Sequence, residues 1–237
     1  MMTILLRIPL AFVAMLGFQK ATTPPHDPPS TNEGAPSTSL EVVLKQRAGP
    51  LLVRSVCWAG AFAESAVVLA SHFPDWAISS YILSSLAPNG HPERIRNTGL
   101  FFLGVFMTSL GGYVRLSCYR ALGRLFTFEM SIRKNHQLIT DGPYAVVRHP
   151  GYLGILLTVT GIVLWHASEG SWARECGIFY TKLGLASALV YLGLVSTIVT
   201  GLLSRMSKED EALKKTFGAE WDEWATKVRY MLIPGVY

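Results

Sequence analysis

The chain has 237 residues, of which 50% are hydrophobic and only 16% are charged. Soluble domains carry about 25% charged residues, so the composition excludes an ordinary soluble domain and indicates an integral membrane protein. The net charge is +5, which we attribute to membrane topology and contact with anionic lipid rather than to nucleic-acid binding.

Five apolar segments are the candidate membrane spans, since a helix needs about 20 apolar residues to cross a bilayer. In chain order they are residues 8–19, 55–74, 97–114, 149–168 and 183–204. A signal peptide also contains a short apolar segment, but Pro9 stands early in the first one and no convincing small-x-small cleavage site is visible. We therefore predict an uncleaved first helix and an all-α, polytopic transmembrane bundle of about five spans.

The distribution of basic residues predicts the orientation of this bundle. Residues 115–148 contain six Lys and Arg against two Asp and Glu, and loops rich in Lys and Arg stay in the cytosol. The tail after the last span then lies on the same side, and the N-terminus lies in the lumen. Arg94 and Arg96 fall on the lumenal side, against the same rule.

The remaining segments suggest a division of the chain. Residues 20–39 are rich in Pro, Ser and Thr, a composition typical of a mobile linker. We predict an N-terminal membrane helix plus linker over residues 1–48 and a membrane domain over residues 49–237, with the catalytic region in 121–237. Residues 76–87 are apolar but too short to span a bilayer, which predicts a re-entrant or interfacial piece.

The tail carries an amphipathic pattern. Within residues 208–229, apolar side chains recur at intervals of three or four, at Leu213, Phe217, Trp221, Trp224 and Val228. This spacing predicts a C-terminal amphipathic helix, and its two Trp suit the membrane interface. A helix on the bilayer, a helix packed on the domain and a lid over a site all fit this pattern.

Residues 142–154, GPYAVVRHPGYLG, stand at the mouth of the fourth span. The Gly-Pro pair predicts a turn, and Pro150 suits the first turn of a helix. His149 then lies at the helix cap, beside unpaired backbone N–H groups that attract a carboxylate or phosphate. Alone, His149 would be a cap and Arg148 a membrane anchor, but the compact set with Tyr152 favours a functional site.

A second polar cluster, Arg205, Glu209 and Asp210, follows the last span. Two short-linked antiparallel helices would bring it beside His149. Glu64 is a lone carboxylate inside a span, for which a functional role and an interhelical hydrogen bond are equally supported. The three cysteines are scattered without metal-binding spacing, so we predict no metal site and no redox role for them.

These motifs resemble the isoprenylcysteine carboxyl methyltransferase family, part of a wider group of small membrane methyltransferases. The first match covers residues 121–154 and includes the phrase LITDGPY before the Arg-His-Pro block. The second match follows the last span and comprises Glu209-Asp210, Leu213, Phe217-Gly218, Trp221 and Trp224. The family usually has a second Glu and two Tyr where this chain has Asp210 and the two Trp.

The resemblance implies an enzyme that uses S-adenosyl-L-methionine to methylate the C-terminal carboxylate of prenylated cysteine. Its partners would be a prenylated protein or peptide C-terminus and the lipid bilayer. It would be a multi-pass protein of the endoplasmic reticulum membrane with its active site facing the cytosol. The site residues that the resemblance implies are, for the cofactor, His149, Tyr152, Leu153, Glu209 and Asp210 and, for catalysis, Arg205.

Three other functions stay open at this point. One is N-methylation of phosphatidylethanolamine or a related amine, which needs a proton acceptor. Another is a membrane sterol reductase, a class that carries a similar Arg-His-Pro-x-Tyr block but has more spans than 237 residues can form. The third is a non-catalytic membrane scaffold.

Overall fold

The computed structural model describes residues 2–25, 48–87, 90–126 and 137–236. Over these ranges the chain is helical and forms no β-strand. In chain order the α-helices are α1 (Met2–Leu5), α2 (Arg7–Thr22), α3 (Ala48–His72), α4 (Ser79–Leu86), α5 (Gly99–Leu122), α6 (Pro150–Ala167), α7 (Trp172–Glu175), α8 (Lys182–Phe217) and α9 (Ala219–Lys227). Most of the predicted linker, and the predicted cytosolic residues Arg133 and Lys134, lie outside the described residues.

The prediction of a helical membrane bundle is confirmed. Within the described residues, four segments are long and apolar enough to cross a membrane, namely Gly49–His72, Gly99–Leu125, Pro150–Glu175 and Lys182–Phe217. The predicted first span corresponds to α2, which has 16 residues and buries one face in the main apolar core of the bundle. The division of the chain at residue 48 stays a prediction.

The five long helices of the described residues alternate in direction, so the last parts of α2, α5 and α8 and the first parts of α3 and α6 meet at one end of the bundle. Arg115, near the end of α5, contacts both α2 and α6 there. Its Nε donates to the Ala21 carbonyl of α2 at 3.0 Å, and its terminal nitrogen donates to the Gly151 carbonyl of α6 at 3.3 Å. We call this the site end.

Glycines allow α5 and α6 to pack backbone against backbone. A Cβ placed on Gly161 would lie 2.5 Å from the Gly104 carbonyl oxygen, and one on Gly104 would lie 2.7 Å from the Gly161 oxygen. No real side chain fits at such distances. The neighbouring Thr108 and Thr158 hydroxyls donate to carbonyls of their own helices, so the close contact leaves neither hydroxyl unpaired.

Glu64 is a structural carboxylate that ties four helices together. It is 1% exposed and accepts from Arg7 Nε of α2 at 2.8 Å. It also accepts from the Trp165 indole of α6 at 2.6 Å and from the Trp172 backbone N–H of α7 at 3.1 Å. Of the two interpretations that the sequence left open, this geometry supports the interhelical hydrogen bond.

The tail predicted as one amphipathic helix over residues 208–229 is divided in two. The last span continues without a break as α8 to Phe217, and α9 starts at Ala219. Gly218 between them has φ +56°, a conformation that glycine adopts without steric cost and that ends helices. The turn brings Trp224 and Val228 of the predicted apolar face into buried positions.

The predicted short segment of residues 76–87 contains α4, which has eight residues and cannot cross a bilayer. It packs beside α3 and exposes Ile78 and Tyr81. Its place at a membrane interface stays a prediction. The three cysteines are buried and unpaired.

The α5–α6 contact generates a first testable prediction. Replacing Gly161 with Val should destabilise the bundle by about 1–3 kcal/mol, the usual cost of overpacking, because the new side chain meets the Gly104 backbone. Gly193→Val in α8 is the matched control, since no heavy atom lies within 4 Å of its Cβ position. Melting temperatures in detergent measure both, and equal losses would contradict the proposed contact.

A second prediction concerns the Arg7–Glu64 pair. Glu64→Leu alone should cost about 3–5 kcal/mol, because it leaves a buried cation uncompensated. The double variant Arg7→Met, Glu64→Leu should lose clearly less than the sum of the two single losses. Chemical unfolding of all four chains in detergent gives this coupling energy, and simple additivity would show that the pair is not a unit.

Candidate active site

The 142–154 motif builds a rigid approach to α6. Residues Gly142–Ala145 form a 3-10 turn, for which Gly142 takes φ +61°. Pro150 is the first residue of α6, and its missing N–H costs nothing there. The predicted turn and helix start are therefore confirmed. His149 occupies the cap position, but its side chain makes no capping hydrogen bond.

The His149 side chain instead points to the last span. Its Nε2 lies 3.0 Å from Asp210 Oδ1, and both residues are buried. The other Asp210 oxygen lies 3.2 Å from Arg148 Nε. An ionised carboxylate can only accept hydrogen bonds, so a hydrogen bond to it requires the His149 tautomer that has a proton on Nε2. Asp210 is thereby shared between two consecutive residues of the motif.

A second contact joins the same two helices. The Tyr152 hydroxyl, on the first turn of α6, donates to Glu209 Oε2 at 2.5 Å. The Tyr152 ring is parallel to the His149 ring, with centroids 5.4 Å apart. Glu209 Oε2 also lies 3.9 Å from His149 Nδ1 and 3.9 Å from Arg205 Nε. The two polar clusters, whose contacting residues are 57 and 61 positions apart in sequence, thus form one cluster in space.

A cavity of about 190 Å³ opens beside this cluster. Its polar lining includes four of the predicted site residues, His149, Tyr152, Arg205 and Glu209, and also Arg148. Leu153 and Asp210 are not among the described residues that line it. Leu153 packs against the buried cluster of Tyr152, Met206 and Leu232, so Leu153 and Asp210 stand behind the cavity wall.

The other side of the cavity is apolar and is formed by four different helices. Its residues are Phe18 of α2, Val53 of α3, Ile155 and Val159 of α6, and Val195 and Ile198 of α8. On α6 and α8 these residues lie one to three turns further into the span than the polar cluster. The cavity therefore joins a charged mouth at the site end to an apolar region within the bundle.

The outer wall of this apolar region is α8, which the rest of the described protein buries very little. Only 6% of the most apolar stretch of α8 is buried inside the protein, against 50% for the α6 span. Leu189 and Leu192, one to two turns before Val195 on α8, are 60% and 47% exposed. In a membrane this face would lie against lipid, so among the described residues only α8 stands between this part of the cavity and the bilayer.

Arg115 and Tyr144 are polar lining residues that were not singled out from the sequence as site residues. Arg115 was counted only as part of the basic loop, yet it is buried and lines the cavity from α5. A charge that directly follows an apolar helical run was the signal for it. Tyr144 also lines the cavity, and its burial raises its pKa well above the ordinary value, so its hydroxyl stays protonated.

His166 lies at the opposite end of α6 and takes no part in this site. Its ring stacks on Trp165 at 4.6 Å, and a Cβ on Gly60 of α3 would be 3.4 Å from it. His166 therefore packs between α6 and α3, away from the cavity.

Comparison with known proteins relates this arrangement to a family. The profile of the isoprenylcysteine carboxyl methyltransferase (ICMT) family matches residues 103–215. This range contains α6, most of α5 and α8, and all six predicted site residues. Over this range the chain is similar to the isoprenylcysteine carboxyl methyltransferase family.

Individual relatives agree with this similarity. A probable protein-S-isoprenylcysteine O-methyltransferase of Oryza sativa subsp. indica is 28% identical over 139 residues, 58% of this chain and 63% of the rice protein. Protein-S-isoprenylcysteine O-methyltransferase B of Arabidopsis thaliana is 27% identical over 127 residues, 53% of this chain and 55% of its own length. The chain thus spans less than two thirds of these relatives.

A third relative comes from a different chemical class. A Delta(14)-sterol reductase of Mus musculus is 28% identical over 101 residues, 43% of this chain and 20% of the reductase. The shared region is therefore a membrane module that also occurs in a protein named for reduction. A match to this region therefore does not by itself distinguish methyl transfer from reduction.

Proposed function

We propose that this chain transfers the methyl group of S-adenosyl-L-methionine to the C-terminal carboxylate of a prenylated cysteine. The similarity to the family and the names of the plant relatives support this proposal. The observation that carries it is the single cavity that joins a charged mouth to an apolar region walled by a lipid-facing helix. A substrate with a carboxylate at the end of an isoprenoid chain has the same two-part chemistry.

The residues at the cavity mouth fit the proposed cofactor. When bound, S-adenosylmethionine supplies a methyl group on a positively charged sulfur for in-line displacement. Glu209 offers a carboxylate to the cationic part of this molecule, and its side chain remains 30% exposed at the cavity. His149 and Tyr152 present two parallel rings beside it. We propose that these three residues hold the cofactor and that Asp210 and Leu153 act from behind them.

The reaction requires positioning more than proton transfer. The oxygen–carbon bond of the ester forms as the sulfur–carbon bond breaks, and a carboxylate is already ionised at pH 7. No general base is therefore needed. Holding two reactants in register can contribute about 7 kcal/mol or more to the barrier reduction. The buried, helix-borne side chains of the site suit that task.

Arg205 is the proposed catalytic residue. It lies on α8 one turn before Glu209, is 5% exposed and lines the cavity. Its guanidinium carbon lies 5.8 Å from the Tyr152 ring centre, so it stands between the cofactor residues and the apolar part of the cavity. A planar guanidinium can orient one substrate carboxylate oxygen without removing its negative charge.

We also propose that the protein resides in the endoplasmic reticulum membrane with the site end facing the cytosol. The basic residues near that end support this orientation. Labelling of a cysteine introduced at Gln137 by a membrane-impermeant reagent tests it. Labelling only from the lumenal side would contradict the proposed orientation.

The cofactor assignment generates a third prediction. His149→Ala should weaken S-adenosylmethionine binding, because it removes one ring of the parallel pair and the Asp210 contact. His166→Ala, on the same helix but at its far end, is the matched control. Isothermal calorimetry in detergent measures both, with a nicotinamide cofactor as a second ligand. Unchanged affinity in His149→Ala would remove this residue from the site, and nicotinamide binding instead would favour a reductase.

The fourth prediction concerns Arg205. Arg205→Lys keeps the charge but loses the planar fork, so turnover should fall by about tenfold or more, equivalent to about 1.4 kcal/mol of barrier, with little change in cofactor affinity. Arg174→Lys, at an exposed ion pair with Glu169, is the control. If Arg205→Lys turns over normally, Arg205 is a membrane anchor, a role that Lys fills equally well.

The substrate class is decided in the same assay. Methyl transfer from labelled cofactor is measured to a farnesylcysteine analogue and, separately, to phosphatidylethanolamine. We expect label in the base-labile methyl ester of the first. Label only in the phospholipid would replace the carboxyl assignment by N-methylation, and no label with no cofactor binding would indicate a scaffold.

A further inference from the structure

The segment that follows α9 passes beside the start of α6. We call residues 228–233 the tail strap. Val228 and Leu232 of the strap are buried, whereas Tyr230 and Ile233 are 41% and 42% exposed. The strap therefore packs one set of side chains against the bundle and leaves the other set outside.

Two consecutive backbone hydrogen bonds join the strap to the motif. The Arg148 N–H donates to the Tyr230 carbonyl at 2.9 Å, and the His149 N–H donates to the Met231 carbonyl at 2.8 Å. Amides that precede a helix have no acceptor inside it, and a buried amide needs one. The strap supplies that acceptor for the two residues that contact Asp210.

The Leu232 side chain makes the third contact. It is 4% exposed and packs in one cluster with Tyr152 and Met206. Tyr152 in turn donates to Glu209. Leu232 is not among the described residues that line the cavity, so it acts on the site through neighbours in this cluster such as Tyr152, which does line it.

The strap and Asp210 hold His149 from two sides. Asp210 fixes the imidazole through Nε2, while the Met231 carbonyl fixes the backbone of the same residue. A side chain is held in place only when both its ring and its backbone are restrained. Without the strap, the two residues before Pro150 would lose both backbone partners.

We propose that the tail strap is an integral part of the cofactor site and that Leu232 is a positioning residue that acts through Tyr152 and His149. This inference rests on the proposed function, because it assigns the strap to the binding of S-adenosylmethionine. It differs from a purely structural role of the tail. A structural role predicts a loss of stability throughout the bundle, whereas a positioning role predicts a local change at residues 148–152.

The test is Leu232→Ser, with Ile233→Ser as its matched control on the exposed side of the strap. Two measurements are made on the full chain in detergent: calorimetric affinity for S-adenosylmethionine, and amide hydrogen exchange without ligand. We expect Leu232→Ser to weaken binding by about tenfold to a hundredfold, the loss usual at metal sites when a residue that orients a ligand-holding side chain is removed. The amides of Arg148 and His149 should exchange faster, while those of residues 105–112 in α5 stay protected.

The outcomes separate the positioning role of Leu232 from the proposed function. If the parent binds S-adenosylmethionine and Leu232→Ser binds equally well, the positioning role is wrong and the proposed function stands. If the parent does not bind it, the proposed function fails, and the strap assignment fails with it. If residues 105–112 also lose protection, Leu232→Val replaces the serine variant. Faster exchange at 148–149 with weaker binding in that milder variant supports the strap, and unchanged values overturn it.

Discussion

The close contact of α5 with α6 is the constraint on which the site depends. Lipid is as apolar as a leucine side chain, so helices in a membrane associate through van der Waals contact and interhelical hydrogen bonds rather than through hydrophobic burial. Gly104 and Gly161 bring the two backbones together in the middle of the spans. Nearer the site end, Gly154 leaves room for the stem of Arg115, whose Cγ would lie 2.7 Å from a Cβ there. The contact thus fixes the axis of α6. It also fixes Arg115, which donates to the Gly151 carbonyl in the first turn of α6.

Buried charge shapes the rest of the site end. Charged groups out of water are stable only when they are paired and hydrogen-bonded. Asp210 faces Arg148 with one oxygen and His149 with the other, so it has little capacity left for a ligand. Glu209 accepts from Tyr152 but keeps part of its side chain at the cavity. The two adjacent carboxylates therefore differ in position: Asp210 contacts Arg148 and His149, whereas Glu209 faces the cavity.

The features that the sequence predicted share a local cause. The spans follow from hydropathy, and the turn at Gly142, the start of α6 at Pro150 and the pairing of the two polar clusters follow from residue types and short connections. Glu64 shows the limit of prediction from local sequence. Its place inside a span was evident from the sequence, but its partners Arg7, Trp165 and Trp172 are up to 108 residues away along the chain. The continuation of α8 to Phe217 was missed because its sequence turns polar after residue 204 while its helical propensity persists. The strap was missed because main-chain hydrogen bonds leave no mark on residue type.

The position of the site explains how membrane helices alone can form it. Helix ends supply unpaired backbone groups and the only places where charged side chains meet both protein and water. At the site end, five such helix ends converge, and the cavity runs from them into the apolar part of the bundle. For the proposed methyl transfer this placement has a chemical consequence. The positive charge on sulfur and the negative charge on oxygen both disappear as the reaction proceeds, so a site with little water avoids stabilising the charged reactants. The boundary between charged helix ends and the apolar bundle interior provides that environment, and α8 leaves it one helix away from the membrane that would hold a prenylated substrate.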